Sequence, residues 1–125
     1  MPVKPPGRAV LPNPRRSTCP VACTLDLIGD KWTLLIIRDM FFGKSRYKDF
    51  SASEEGVPTN ILVNRLRKLE GAGLVSKSPY QKNPIRFDYQ LTDAGRSLGP
   101  ILQAMIDWAD KHVAGVRRPA KSARR

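Results

Sequence analysis

Asn60, Asn64, Arg65, Arg67 and Lys68 stand within one run of the chain, Val57-Pro58-Thr59-Asn60-Ile61-Leu62-Val63-Asn64-Arg65-Leu66-Arg67-Lys68-Leu69-Glu70. Amide side chains donate and accept hydrogen bonds together, while Arg and Lys only donate. That set matches the base edges of a DNA major groove, where Asn pairs with adenine and Arg or Lys with guanine. Asn60 and Asn64 are one helical turn apart and would face the same way on a helix. Leu62, Leu66 and Leu69, with Ile61 at the edge, recur on the other side. The spacing predicts a helix with one face for a core and one for polar partners. Arg65, Arg67 and Lys68 are in reach of bases or phosphates, with Arg65 bordering the buried face. The plain alternative is a solvated helix surface.

The elements that must hold this helix follow from the flanking residues. Pro58 suits a first helical turn and Thr59 is a candidate N-cap. Gly71 or Gly73 can take the left-handed conformation that ends a helix. After Leu74, the segment Val75 to Pro84 reads as a short strand followed by a turn, with Pro79 tolerable only at a sheet edge. Ile85-Arg86-Phe87-Asp88-Tyr89-Gln90-Leu91 alternates apolar and polar residues, the pattern of a half-buried strand. Helix, strand, basic turn and strand make a winged helix-turn-helix, an α+β fold. Lys82, Asn83 and Arg86 would lie at the wing tip, where an arginine can enter a narrow minor groove.

Upstream, Val21, Leu25 and Ile28 recur at helical spacing after Cys19-Pro20, and Gly29 ends that first helix. Asp30 caps a second, Lys31 to Phe42, whose apolar content places it at the centre of the core. Ser45 can cap a short third helix with Tyr47 and Phe50 inward, and Ser45 with Arg46 would offer a helix N-terminus to phosphate. Beyond the wing, Thr92 caps a last helix, broken or kinked at Gly99-Pro100. Its apolar stripe includes Leu98, Ile101, Leu102, Met105, Trp108, Ala109, His112 and Val113. One small core can hardly cover both this stripe and the first helix. A homodimer joined through Val21 and Leu25 on the first helix and Leu102, Met105, Trp108 and His112 on the last is expected.

The chain has 125 residues, enough for one core, and a formal net charge of +11. Residues 1–18 carry Lys4, Arg8, Arg15 and Arg16, and residues 117–125 carry Arg117, Arg118, Lys121, Arg124 and Arg125, with no acid in either stretch. Residues 19–116, read as the folded domain, keep 13 basic and 11 acidic side chains. Residues 1–18 also contain five of the eleven prolines and show no helical or strand period, so a disordered basic arm is expected there, and a basic tail at 117–125. Such tails attract polyanions or are simply solvated. No apolar run is long enough to span a bilayer and no export leader is visible, which makes the cytoplasm the default. Two cysteines without a leader are expected as free thiols, and with one histidine they cannot form a four-ligand zinc site. Neither a metal nor another cofactor is expected.

The run Cys19-Pro20 through Leu25-Asp26-Leu27-Ile28-Gly29-Asp30-Lys31-Trp32-Thr33-Leu34-Leu35-Ile36 resembles the start of the bacterial HxlR-type transcription regulators, relatives of the MarR group. Gly43 to Phe50 resembles that family's Gly-x-x-Arg-Phe segment with Tyr47 for Phe, and Thr59 to Glu70 resembles its recognition helix. Gly73-Leu74-Val75, Arg86 to Thr92 and Gly95 to Trp108 resemble its wing and last helix. The resemblance covers Cys19 to Val113 and implies a homodimeric winged-helix protein that binds double-stranded operator DNA and represses or activates transcription. At Val63 the family more often has a small hydroxyl residue, which leaves a methyl contact to thymine at that position.

Two further function classes compete with DNA recognition. A thiol-dependent enzyme using Cys19 or Cys23 with His112 lacks any third orienting residue, phosphate loop or carboxylate pair. A winged helix serving only as a protein-interaction module would want an acidic or apolar recognition face, and this one is basic and amide-rich. Cys19 stands at the expected N-terminus of the first helix, with Arg15 and Arg16 just upstream, a setting that favours a thiolate. The matching cysteine is a thiol sensor in some HxlR-type members, so the resemblance permits a redox response at Cys19. Against this stands the role of a small packed residue.

Overall fold

The structure is a computed structural model that describes Ala9 and residues 16–117. The basic arm and tail expected at 1–18 and 117–125 lie largely outside the described residues. The elements run α1 (Pro20–Ile28), α2 (Thr33–Phe41), α3 (Tyr47–Ser51), α4 (Thr59–Gly71), β1 (Val75–Lys82), β2 (Ile85–Leu91), α5 (Asp93–Arg96) and α6 (Gly99–His112).

α2 buries Thr33, Ile36, Ile37 and Met40, one stripe at helical spacing, and α4 answers with Leu62, Leu66 and Leu69. Phe50 from α3, Leu74, Val75, Tyr89, Leu91 and Ala94 complete the core, with Ile37, Phe50 and Leu62 fully enclosed. Among the described residues only Thr33 and Asp39 are buried polar groups. Asp39 accepts from Arg38 at 2.9 Å and from the Ser53 hydroxyl, and Arg38 also grips Glu55 through two bonds of 2.9 and 2.8 Å. This pairing ties the end of α2 to the loop that delivers α4.

α2 starts at Thr33, two residues later than expected, because the Asp30 carboxylate accepts from the amides of Trp32 and Thr33 at 3.1 and 3.2 Å and holds Lys31-Trp32 as a turn. At α4, Pro58 occupies the boundary in extended conformation and Thr59 is the first helical residue. Gly73, with φ of 82°, supplies the left-handed turn out of α4. β1 is longer than the sequence suggested: it pairs antiparallel with β2 from Val75↔Leu91 to Lys82↔Ile85, with an irregularity between Pro79 and Gln81, and leaves only Asn83-Pro84 to turn. The Thr92 hydroxyl accepts from the Gly95 amide at 3.2 Å and donates to the Gly73 carbonyl at 2.6 Å, so one side chain caps α5 and fastens it to the exit of α4. At Gly95 a Cβ would fall 2.1 Å from the Leu74 carbonyl oxygen, and only glycine fits.

Two expectations change. Tyr47 does not point inward: it is 42% exposed and stacks on Tyr89 with ring centroids 5.7 Å apart, since α3 is too short to bury both of its aromatics. Ser45 does not cap α3. The Asp49 carboxylate does so, accepting from the amides of Arg46 at 3.2 Å and Ser45 at 3.4 Å. At Gly99-Pro100 the expected interruption is a break, with a separate helix, α6, beginning there.

α6 has no buried residue. Met105 is 52% and Trp108 62% exposed, as are Val21 at 67% and Leu25 at 53% on α1. Between α2 and α6 lies an apolar groove of about 700 Å³, bordered by Leu34, Phe41, Phe42, Leu102 and Met105.

Leu66, 1% exposed on the core face of α4, sets the first expected outcome. Leu66→Ala lowers unfolding free energy by about 2–5 kcal/mol in urea titration through lost burial and a residual cavity.

Candidate nucleic-acid interface

With Leu62, Leu66 and Leu69 turned into the core, helical geometry turns Asn60, Asn64, Arg67 and Lys68 outward. All four are exposed, as is Thr59, while Val63 is half-buried beside them. The face carries two amides and two cations.

Arg65 is placed differently. Its Nε donates to Asp30 Oδ2 at 2.8 Å and its Nη1 to Asn64 Oδ1. The guanidinium therefore points toward the α1–α2 turn, because the side chain borders the buried face and an unpaired acid waits there. Asp30 serves three elements at once: the turn amides, the Thr33 hydroxyl and Arg65. Partial burial works to raise its pKa, but the bonds from Thr33, Arg65 and the Trp32 amide outweigh it and bring the value from 3.8 down to about 2.

Ser45 and Arg46 are likewise engaged. Arg46 Nε donates to Asp88 Oδ1 at 2.8 Å, the Ser45 hydroxyl donates to the same oxygen at 3.2 Å, and the Arg46 guanidinium lies 3.6 Å over the Tyr80 ring. The Tyr89 amide adds a bond of 2.8 Å to the Ser45 carbonyl. The bond from Arg46 holds the Asp88 carboxyl below its ordinary range. The amides expected to receive phosphate at α3 are occupied by Asp49, so these residues act first as the hinge between wing and helices. Arg46 Nη1 and Nη2 have no hydrogen bond among the described residues, and Arg46 lines a cleft on the wing with Tyr80, Arg86 and Phe87. At the wing tip Lys82, Asn83 and Arg86 are all exposed.

The cap at Asp30 was legible in the sequence, but its pairing with Arg65, and the roles of Asp88 and Tyr80, were not. Each acts through a partner at least 34 residues away in the chain, as with Arg65 at 35 and Arg46 at 42 from their acids. The only signal was an acid on the outer face of a strand and another before a helix.

Cys19 is exposed at the N-cap of α1, and Cys23 is half-buried with its thiol donating to the Ser17 carbonyl at 3.3 Å. Arg16 is drawn off to Asp26 at 2.6 Å. His112 packs its ring against Trp108 at 5.2 Å and has no hydrogen bond to either thiol among the described residues. Among the described residues no group of three or more His, Cys, Asp or Glu could hold a metal ion, and no helix is long and apolar enough to cross a membrane.

Residues 27–116 match the family model described as HxlR-like helix-turn-helix. The chain is 40% identical over 93 residues to Mb3122 of Mycobacterium bovis, named an uncharacterized HTH-type transcriptional regulator, and spans 74% of this chain but 58% of that protein. YdeP of Bacillus subtilis, named likewise, is 35% identical over 75% of this chain and 73% of its own. Among solved structures, the redox regulator HypR in its reduced form superposes with a TM-score of 0.70 at 34% identity, covering 77% of this chain and 95% of that one.

The Asp30 linkage gives an acid signature. A carboxyl with a depressed folded-state pKa stabilises fully above its ordinary value of 3.8 and loses that contribution as pH falls through about 2. Between those limits, wild type should lose more urea stability than Asp30→Asn, which lacks the linkage at every pH.

Proposed function

The chain belongs to the HxlR-like helix-turn-helix family of transcriptional regulators, and from that premise we propose that it binds double-stranded DNA as a homodimer on a pseudo-palindromic operator, in the cytoplasm. The observation that carries this reading is the exposed row Asn60, Asn64, Arg67 and Lys68 on a helix whose opposite face is locked into the core. Asn60 and Asn64 meet base edges. Arg67 and Lys68 reach bases or flanking phosphates, and Thr59 and Val63 line the same groove wall, Val63 with a methyl against thymine. Lys82, Asn83 and Arg86 follow the neighbouring minor groove, and the unbonded nitrogens of Arg46 approach the phosphates between.

One chain presents one such helix, so a twofold site needs two copies. Val21, Leu25, Met105 and Trp108 supply exposed apolar surface for that pairing, with Leu102 and His112 beside them. The basic residues at 1–18 and 117–125 add attraction for the backbone without choosing sequence.

A second layer, redox response, is favoured by the exposure of Cys19 at the start of α1 and by the likeness to HypR. Oxidation of two Cys19 thiols to an intersubunit disulfide, or capping of each by a small thiol, changes how the two copies sit and thereby the span between recognition helices.

Footprinting of operator fragments should show two protected half-sites about 10 bp apart, or a multiple of that, with dyad symmetry. A single asymmetric half-site held by one copy would refute the dimeric reading. For the redox layer, operator affinity measured before and after mild peroxide or diamide changes in wild type and in Cys23→Ser but not in Cys19→Ser. An oxidation effect of equal size in Cys19→Ser would remove Cys19 from the mechanism.

A further inference from the structure

A primary amide such as that of Asn64 presents a donor at one end and an acceptor at the other, and rotation by half a turn exchanges them. An asparagine free to rotate satisfies either kind of base atom and so discriminates weakly. Asn64 is not free. Its Oδ1 accepts from Arg65 Nη1, and Arg65 is itself fixed, because its Nε donates to Asp30 Oδ2 at 2.8 Å. Asp30 in turn is held by the amides of Trp32 and Thr33 and by the Thr33 hydroxyl. Arg65 and Asp30 each show only 25% of their side chains to solvent, while Asn64 is exposed. Asn64 Nδ2 has no hydrogen-bond partner among the described residues, and it is the end of the amide turned away from the Arg65 guanidinium.

We propose that Arg65 is a positioning residue for sequence recognition: it locks the Asn64 amide with its nitrogen outward, so that the base facing Asn64 is read through an acceptor. The proposal rests on the DNA-binding reading given above. In the major groove guanine offers N7 and O6, adenine N7 and thymine O4 as acceptors, whereas cytosine offers only the N4 donor. Two donors cannot pair. The lock therefore selects against cytosine at that position, and the selection originates at the α1–α2 turn, two side chains behind the base. Arg65 makes no DNA contact in this arrangement, although its charge lies on the recognition helix.

The test is enrichment from randomised DNA by the purified full chain at fixed salt, with wild type, Arg65→Met, Arg65→Lys, Asn64→Ala and Asn64→Asp, each checked for helix content. Wild type should disfavour cytosine at one position by about tenfold. Arg65→Met and Arg65→Lys should both lose that discrimination, at the position that Asn64→Ala also relaxes, while the remaining positions keep their preferences. Lysine restores a cation to Asp30 but replaces the rigid fork, whose Nε and Nη1 serve Asp30 and Asn64 in fixed geometry, with one rotatable ammonium, so recovery of thermal stability without recovery of selectivity separates positioning from scaffolding. Asn64→Asp keeps the acceptors for Arg65 and has no donor to offer, so it should turn the same position toward cytosine. This variant reports even where an Arg65 substitution unfolds the protein. The inference is overturned by wild-type preferences in folded Arg65→Met, by equal weakening of all sequences in it, or by an unchanged position in Asn64→Asp. Wild type that enriches no sequence would overturn the DNA-binding reading itself.

Discussion

The carboxylate of Asp30 is the point on which the arrangement of helices turns. It sits where α1 ends and α2 begins, and it satisfies amides there that helix geometry would otherwise leave open. The same group faces Arg65 across the interior. Half-buried ion pairs of this kind bring little net stability, since desolvation offsets most of the attraction. Their use is geometric: a charge pair with several fixed hydrogen bonds tolerates one orientation of its elements. The apolar core shared by α2, α3, α4 and the hairpin supplies the burial, and the Asp30–Arg65 pair joins the α1–α2 turn to one side of α4.

A similar logic governs the wing. Two antiparallel strands alone are marginal in water, and this hairpin meets the core through Val75, Tyr89 and Leu91, with Phe87 packed against it. Its outer half is fastened to α3 by Asp88, which receives both Arg46 and Ser45, and by Tyr80 under the Arg46 guanidinium. Arg38, Arg46 and Arg65 are matched to acids, as are the more exposed Arg16 and Lys77, while Arg67, Lys68, Lys82 and Arg86 on the outer surface make no ion pair with an acid among the described residues.

Much of this was legible in the sequence where one physical rule dominates. The two faces of α4 follow from leucine spacing, β2 from strict alternation, and the Thr92 cap from a hydroxyl before an acid at a helix start. The rule failed where two local preferences compete. Ser45 and Asp49 both can cap α3, and the acid wins because a carboxylate reaches two amides at once. Tyr47 and Phe50 both can fill the core, and the hydroxyl-bearing ring is the one left outside, touching Tyr89. Leucine spacing set Arg65 at the border of the buried face, but nothing in a linear pattern reports its acid 35 positions upstream.

Gly95 shapes the molecule in another way. Its missing side chain lets α5 rest directly on the Leu74 carbonyl, at the residue where the chain leaves α4 and enters β1. Contact between backbones has no rotamers to absorb displacement. α6 follows α5 after two residues, so the missing side chain also sets how near the exposed apolar helix starts to the exit of α4 and the root of the wing.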